Sequence, residues 1–576
     1  MRGLVGSRAK RPLLAAGFMS FVVCFAGCRA AAPARSGASA SPPPRLVMSI
    51  VVDQFPAWEA AERLPLLPAG GGFARLRREG LSVKELRYAH ASTDTAAGHA
   101  ALYTGGAPRA SGLSANEVLG RDGKPQSILR DEKTRLVATN GAMIDRPGSS
   151  LARLRLETLA DVLVDEIPGA RVYSFSLKDR GALPGAGRRP TAALWLDVPS
   201  GQLVTSTLFP TPPAWTTALG DAAAVAAARA GGWSLGGADG RFVAEHARTT
   251  DDQDGEGDLD GLGRQFPHPV PSTKALRATP LGDRLLLALA RAAIANLGTD
   301  AAPTLLALSL SSNDYVQHVF GPDSWEAWAE LVELDRGLAE LFAAADRAVG
   351  PQGWAALLTS DHGGGPLPEV TFDLASARCA GGDAPPDPWE RACEPRRRLD
   401  ATAILTTIEA AIVAELGPGP WVRGFAEPLV YLTPRGRALA GAERGRMVRA
   451  AAAAMQRLGV RAVEDARARR ESCGDGGSLE GLVCRAIDPD GPGDLYLVLA
   501  PTAFFEADLV PGFGTNHGSP YLYDRAVPLF VRAPGRVTAG AVREAPADAT
   551  AFARTAASLL GIRAPAAAAG GEDLTR

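Results

Sequence analysis

Histidine and cysteine are scarce in this chain: seven and six respectively in 576 residues. Without any C-x-x-C pair, a structural zinc site built from thiolates is disfavoured. Positive charge is not in excess, with 61 Lys and Arg against 63 Asp and Glu, so the basic field that nucleic acid requires is missing. Beyond the N-terminal segment no apolar run is long enough to cross a bilayer as a helix. What remains is a globular composition, 46% hydrophobic and 22% charged, long enough to bury a large core.

The N-terminus reads as an export signal. Arg2, Arg8, Lys10 and Arg11 precede the apolar run Leu13–Phe25, and no acid occurs before residue 28. The run ends Phe25-Ala26-Gly27-Cys28, small residues before a cysteine, as in a bacterial lipobox. Cys28 is therefore the expected lipidation site and membrane anchor, with a plain signal peptide over 1–27 as the alternative. Residues 28–44 are rich in Ala, Ser and Pro and read as a tether. An exported chain favours disulfides, and with Cys24 inside the signal and Cys28 at its end, the four remaining cysteines fall into two local pairs, Cys379 with Cys393 and Cys473 with Cys484.

Short apolar runs recur, and several end in a chemically loaded residue: Leu46–Val52 before Asp53, Val172–Ser176 before Lys178, Thr304–Leu310 before Asp314, and Ala355–Thr359 before Asp361. Runs of this kind are central strands buried on both faces. Helical stretches lie between them, among them Gly282–Leu297, Trp325–Val349 and Ala401–Leu416. The expected fold is α/β, a central, mostly parallel sheet flanked by helices, with ligands beyond the carboxyl ends of the strands. One catalytic domain is expected over 45–563. The region of about 200–271 is expected as an insertion or cap, and 564–576 as a frayed tail.

Three of the seven histidines fall in one scattered constellation: Asp53, Thr95 in TAAGH, Asp314 and His318 in NDYVQH, Asp361 and His362 in SDHGGG, and His517 in TNHGSP. Carboxylates and imidazoles with no thiolate suit zinc. Asp314 and His318 stand one helical turn apart and can face one metal. Thr95 opens a helix over Thr95–Tyr103, where free N–H groups and the dipole favour an anion. Singly, each has a plainer reading: Asp53 as a turn residue, Thr95 as a helix cap, the Asp314/His318 pair as a surface ion pair. Jointly they point to a two-metal hydrolase.

With VVDQ (51–54), GGFARLRREG (71–80), SGLSANE (111–117), SLKDR (176–180), ATPLGD (278–283) and GTNHGSPYLYDRAVPLF (514–530), these motifs resemble the alkaline phosphatase superfamily, and within it the monomeric PafA-type enzymes with a threonine nucleophile. The resemblance runs from about Leu46 to about Leu560. It implies two zinc ions, one held by Asp314, His318 and His517, the other by Asp53, Asp361 and His362 with the Thr95 oxygen. It implies phosphoryl contacts from Asn116, Lys178 and Arg180, a phosphothreonine intermediate, and small phosphate monoesters as substrates. Two fixed cations suit a monoester dianion better than a diester. The sulfatase nucleophile context, C/S-x-P-x-R, is absent. A phosphodiesterase or nucleotide pyrophosphatase on the same scaffold is the alternative, and a binding protein that kept the fold is a third. Asp94 beside the nucleophile and Gln317 before His318 are departures whose roles the sequence leaves open. The acidic run Asp251–Gly261 lacks the twelfth-position Glu of an EF-hand and reads as a solvated loop. His99 is expected in the site wall, and His90, His246 and His268 in structural positions.

Overall fold

The computed structural model describes residues 43–370, 396–469, 473–474, 477–501, 503–506 and 509–576. The export signal, Cys28, and the Cys379/Cys393 pair lie outside these residues. Cys473 and Cys484 are joined as a disulfide, with Cα atoms 5.6 Å apart.

A twelve-stranded sheet organises the molecule. Its centre is five parallel neighbours: Trp354–Thr359, Leu46–Val52, Thr304–Leu310, Arg171–Ser176 and Ala192–Asp197. The flanks turn antiparallel, through Ala526–Arg532 on one side and Gln202–Ser206 on the other. All seven residues of Leu46–Val52 are buried, because the strand packs helices on both faces. Leu46, Met48, Ile50 and Val52 join the core that also holds Leu286 and Leu338, from the Pro280–Ala295 and Trp325–Val349 helices. Val47 and Val51 join the opposite core, with Leu102 from the Thr95–Thr104 helix and Phe552 from the Thr550–Leu560 helix. The period-two alternation of a strand thus divides one apolar run between two hydrophobic layers.

A smaller lobe carries its own four-stranded sheet, in the order Val422–Ala426, Leu429–Leu432, Leu495–Leu499, Val460–Asp465. Ile404, Ile408 and Ile412 recur every four residues along the Ala401–Leu416 helix, so one stripe faces this sheet. Met447, Ala451 and Met455 meet it from the Gly441–Met455 helix.

The 200–271 stretch packs on the main core as an excursion. Its first part, Gln202–Ser206, is a strand of the main sheet, and its Gly237–His246 helix sends Val243 into the core shared with the Trp325–Val349 helix. One expectation needs correction. The end of the chain is not frayed: Ala568 and Leu574 are buried in the second core, and the Leu574 N–H donates to Thr555 Oγ1 at 3.1 Å. Its apolar residues are spaced among alanines, which conceals them in a reading by composition.

Candidate active site and metal centre

The loaded residues converge at the carboxyl ends of the parallel strands. Asp53 follows Leu46–Val52, Asp361 follows Trp354–Thr359 by two residues, and the Ser312–Phe320 helix begins just after Thr304–Leu310. That helix has no side-chain cap of its own at Ser311. Buried Asp283 supplies one, its two oxygens accepting the Ser311 and Ser312 N–H groups at 3.1 Å each. The cap fixes the turn that carries Asp314 and His318. Burial pushes the Asp283 carboxyl up to about 7, against those same hydrogen bonds.

Two groups of donor atoms form, Asp314 with His318 and His517, and Asp53 with Asp314 and His362, each within 4.8 Å. Asp361 stands beside the second group, its Oδ2 3.7 Å from His362 Nε2. Each imidazole is held the same way. His318 Nδ1 pairs with Thr515 O at 2.8 Å, His362 Nδ1 with Gly363 O at 2.9 Å, and His517 Nδ1 with Thr93 O at 2.6 Å. A carbonyl only accepts, so each Nδ1 carries a proton and each Nε2 faces inward, the nitrogen that would lose its proton to bind a metal. Among the described residues, buried Asp53 Oδ1, Asp314 Oδ1, Asp361 Oδ2 and His362 Nε2 have no hydrogen-bond partner. Orphaned carboxylate oxygens converging with inward imidazole nitrogens fit divalent cations, and the donor set is what zinc prefers.

Charge is unusually concentrated here. Burial and Asp314 both oppose ionisation of Asp53, but Lys178 and His362 outweigh them and hold its carboxyl well below the usual range. Burial depresses His362, yet Asp361, Asp53 and Asp314 raise it to about 10. Asp94 stands at the N-cap of the Thr95–Thr104 helix, but its side chain makes no cap hydrogen bond there. Its carboxyl takes the Ser92 hydroxyl at 3.3 Å and sits 3.9 Å from His517 Nδ1, and burial pushes it up to about 6 against the pull of His362.

Thr95 is fully buried at the start of its helix. Lys178 Nζ donates to Thr95 Oγ1 at 3.2 Å and lies 2.6 Å from carboxylate oxygens of both Asp53 and Asp314. Asp179, between the two cations, points away: its Oδ2 accepts the Ser127 and Ser149 hydroxyls at 2.8 and 2.7 Å. That locks the turn so that Lys178 and Arg180 both line one cavity of about 520 Å³, together with Thr95 and Asn116. Arg180 Nε is buried without a partner among the described residues. Asn116 Oδ1 accepts the Ala96 N–H at 2.9 Å, which leaves its amide N–H groups for the cavity. Leu399, Phe425 and Phe505 of the smaller lobe form an apolar wall opposite.

Residues 47–458 match the family described as type I phosphodiesterase / nucleotide pyrophosphatase. The chain belongs to this family. Through it the protein is a member of the alkaline phosphatase superfamily. Alkaline phosphatase PafA of Elizabethkingia meningoseptica is 32% identical over 341 residues, 56% of this chain and 61% of that protein, so the match spans less than two thirds of that relative. Alkaline phosphatase PhoK of Sphingomonas sp is 30% identical over 505 residues, 85% of this chain and 84% of that one. The crystal structure of wild-type alkaline phosphatase PafA superposes with a TM-score of 0.77 at 24% identity, over 93% of this chain and 99% of that one, a likeness of fold.

Several groups of this superfamily member escape a motif reading. His99, expected in the site wall, is there, bonded to Thr95 O at 2.9 Å and Ser309 Oγ at 3.0 Å. Gln317 turns away from the ligands, donating to Glu59 Oε2 at 2.9 Å and accepting from Gln54 at 3.1 Å. Asn313, four residues earlier, donates to the carbonyls of Asp53 and Gln54 at 2.9 and 2.8 Å. These amides tie the Asp53 loop to the helix of Asp314 and His318. An Asn and a Gln four residues apart, next to two ligands at the same spacing, are the only signal of this in the sequence.

Proposed function

We propose that the chain is an exported, zinc-dependent phosphomonoesterase that works through a phosphothreonine at Thr95. The observation that carries this reading is the Thr95 hydroxyl at a helix start, 3.2 Å from the Lys178 ammonium and beside two clusters of inward-facing metal donors. Asp314, His318 and His517 would hold one zinc, and Asp53, Asp361 and His362 the other. When bound, zinc ions supply Lewis-acid charge for the attacking and leaving oxygens.

The chain's own groups do the rest. The Lys178 N–H directed at Thr95 Oγ1 favours its alkoxide, which attacks phosphorus in line as the P–O bond to the ester's alcohol breaks and the alcohol leaves on the opposite side. The Asn116 amide and the Arg180 guanidinium are free to donate to nonbridging oxygens, whose charge grows in the transition state. Water displaces phosphate from Thr95 in a second in-line step. Small phosphate monoesters are the proposed substrates, cleaved by a monomer in the cell envelope that Cys28 anchors through lipid.

A phosphodiesterase is the second reading, because the apolar wall of Leu399, Phe425 and Phe505 would shelter a second ester substituent. Zinc content and hydrolysis of p-nitrophenyl phosphate against bis-p-nitrophenyl phosphate separate the two, with Lys178→Ala/Arg180→Ala alongside. About two zinc ions and a monoester preference that collapses in the double variant support the first reading. A diester preference indifferent to the substitutions selects the second. A metal-free protein turning over neither ester rules out both.

A further inference from the structure

We infer that Arg396 is a positioning residue that ties together the loops bearing His362 and His517 and holds the residue whose carbonyl orients His318. The inference rests on the proposed function only in taking His318, His362 and His517 as ligands.

Arg396 is 5% exposed. Its Nη1 donates to Thr515 Oγ1 at 2.7 Å and to Pro366 O at 3.3 Å, and its Nη2 to Asn516 O at 3.1 Å. The guanidinium lies 4.5 Å from the centre of the Phe504 ring and 5.7 Å from that of Tyr523. One planar fork thus grips two segments remote in sequence, the Gly363–Pro366 loop and the Thr515–His517 loop.

From these two loops the grip reaches the His318 imidazole and the backbone beside His362 and His517. Thr515 O is the carbonyl that fixes His318 Nδ1. The Thr515 hydroxyl, held by Arg396, lies 3.0 and 3.1 Å from the carbonyls of Gly365 and Pro366, just beyond His362. Asn516, whose carbonyl Arg396 holds, accepts the His517 N–H on its Oδ1 at 2.9 Å. A Cβ at Gly365 would stand 2.9 Å from Arg396 Nη1, so the glycine admits the guanidinium. Lysine offers a point charge rather than a fork and cannot hold both loops in one fixed geometry.

Partners that orient a ligand typically change metal affinity by about 10–100-fold when lost. Chelator-stripped wild type, Arg396→Met and Arg396→Lys would be compared by zinc competition with a chromogenic chelator and by thermal unfolding with and without zinc. The expected result is zinc binding weakened by about 10–100-fold in Arg396→Met, with a smaller zinc-induced rise of the unfolding midpoint and a partial recovery in Arg396→Lys. A lower metal-free midpoint with wild-type zinc affinity would make Arg396 a packing residue and overturn the inference. Failure of both variants to fold would overturn it in the same way. A wild type that binds no zinc would overturn the metal reading itself, and this assignment with it.

Discussion

Thr95 is surrounded by groups that would be costly to bury for any purpose but chemistry: an ammonium, three carboxylates and three imidazoles, nearly all inaccessible to water. Removing the hydroxyl takes away the Thr95 oxygen but leaves every carboxylate and imidazole of both clusters in place. Thr95→Ala should lower kcat on p-nitrophenyl phosphate by roughly 10³-fold or more while metal content stays at the wild-type level. Residual turnover within about tenfold of wild type would remove Thr95 from the nucleophile role. The convergence of these residues was legible in the sequence because histidine is rare, so three of seven in short polar motifs stand out. Arg396 and Thr515 were not legible. Arginine and threonine are common, and both act through backbone carbonyls, which have no letter in a sequence.

Among the elements, the Thr95–Thr104 helix shows how close packing fixes a proposed ligand. A Cβ at Gly98 would stand 2.2 Å from Asp361 O and 2.8 Å from Asp361 Cβ. The helix can lie against the Asp361 loop only with glycine there. In an open helix, Gly→Ala would gain about 0.5–1 kcal/mol. Here overpacking costs about 1–3 kcal/mol, so the clash should win. Gly98→Ala is expected to lower the unfolding midpoint and to cut activity per folded molecule as Asp361 is displaced. A raised midpoint with full activity would show that the loop yields freely. Strands and long helices were legible at this scale, Thr304–Leu310, Trp325–Val349 and Ala401–Leu416 to the residue, because apolar runs and 3.6-residue periods mark them directly. The assignment of later strands to a second sheet was not, since Leu429–Leu432 and Leu495–Leu499 look as buried as any strand of the first.

Across the whole molecule, the lobe over 397–506 and the Asp251–Gly261 loop are joined to the site by contacts distant in sequence, which composition does not reveal. The acidic loop is solvated at Asp252, Asp254, Asp258 and Asp260, as expected, yet it is also knitted into the fold. Asp252 pairs with Arg264 at 2.6 Å, Asp258 accepts the Gly263 N–H at 2.9 Å, and the Gly257 N–H donates to Val319 O at 2.9 Å, next to His318. Glu256 is fully buried in it, with Oε2 on the Gln253 N–H and no partner for Oε1 among the described residues. Burial, reinforced by nearby Glu326, pushes its carboxyl up from 4.5 to about 9. The folded protein therefore holds a proton there that the unfolded chain releases. Its stabilising effect is complete below pH 4.5 and is lost as pH rises towards 9. Glu256→Gln keeps the shape and stays neutral throughout. Its unfolding midpoint should match wild type at pH 5 and exceed it at pH 9, the alkaline range in which the proposed reaction would be assayed. Parallel losses of stability in both proteins between these pH values would place the alkaline sensitivity elsewhere, with buried Asp283 the next group to replace.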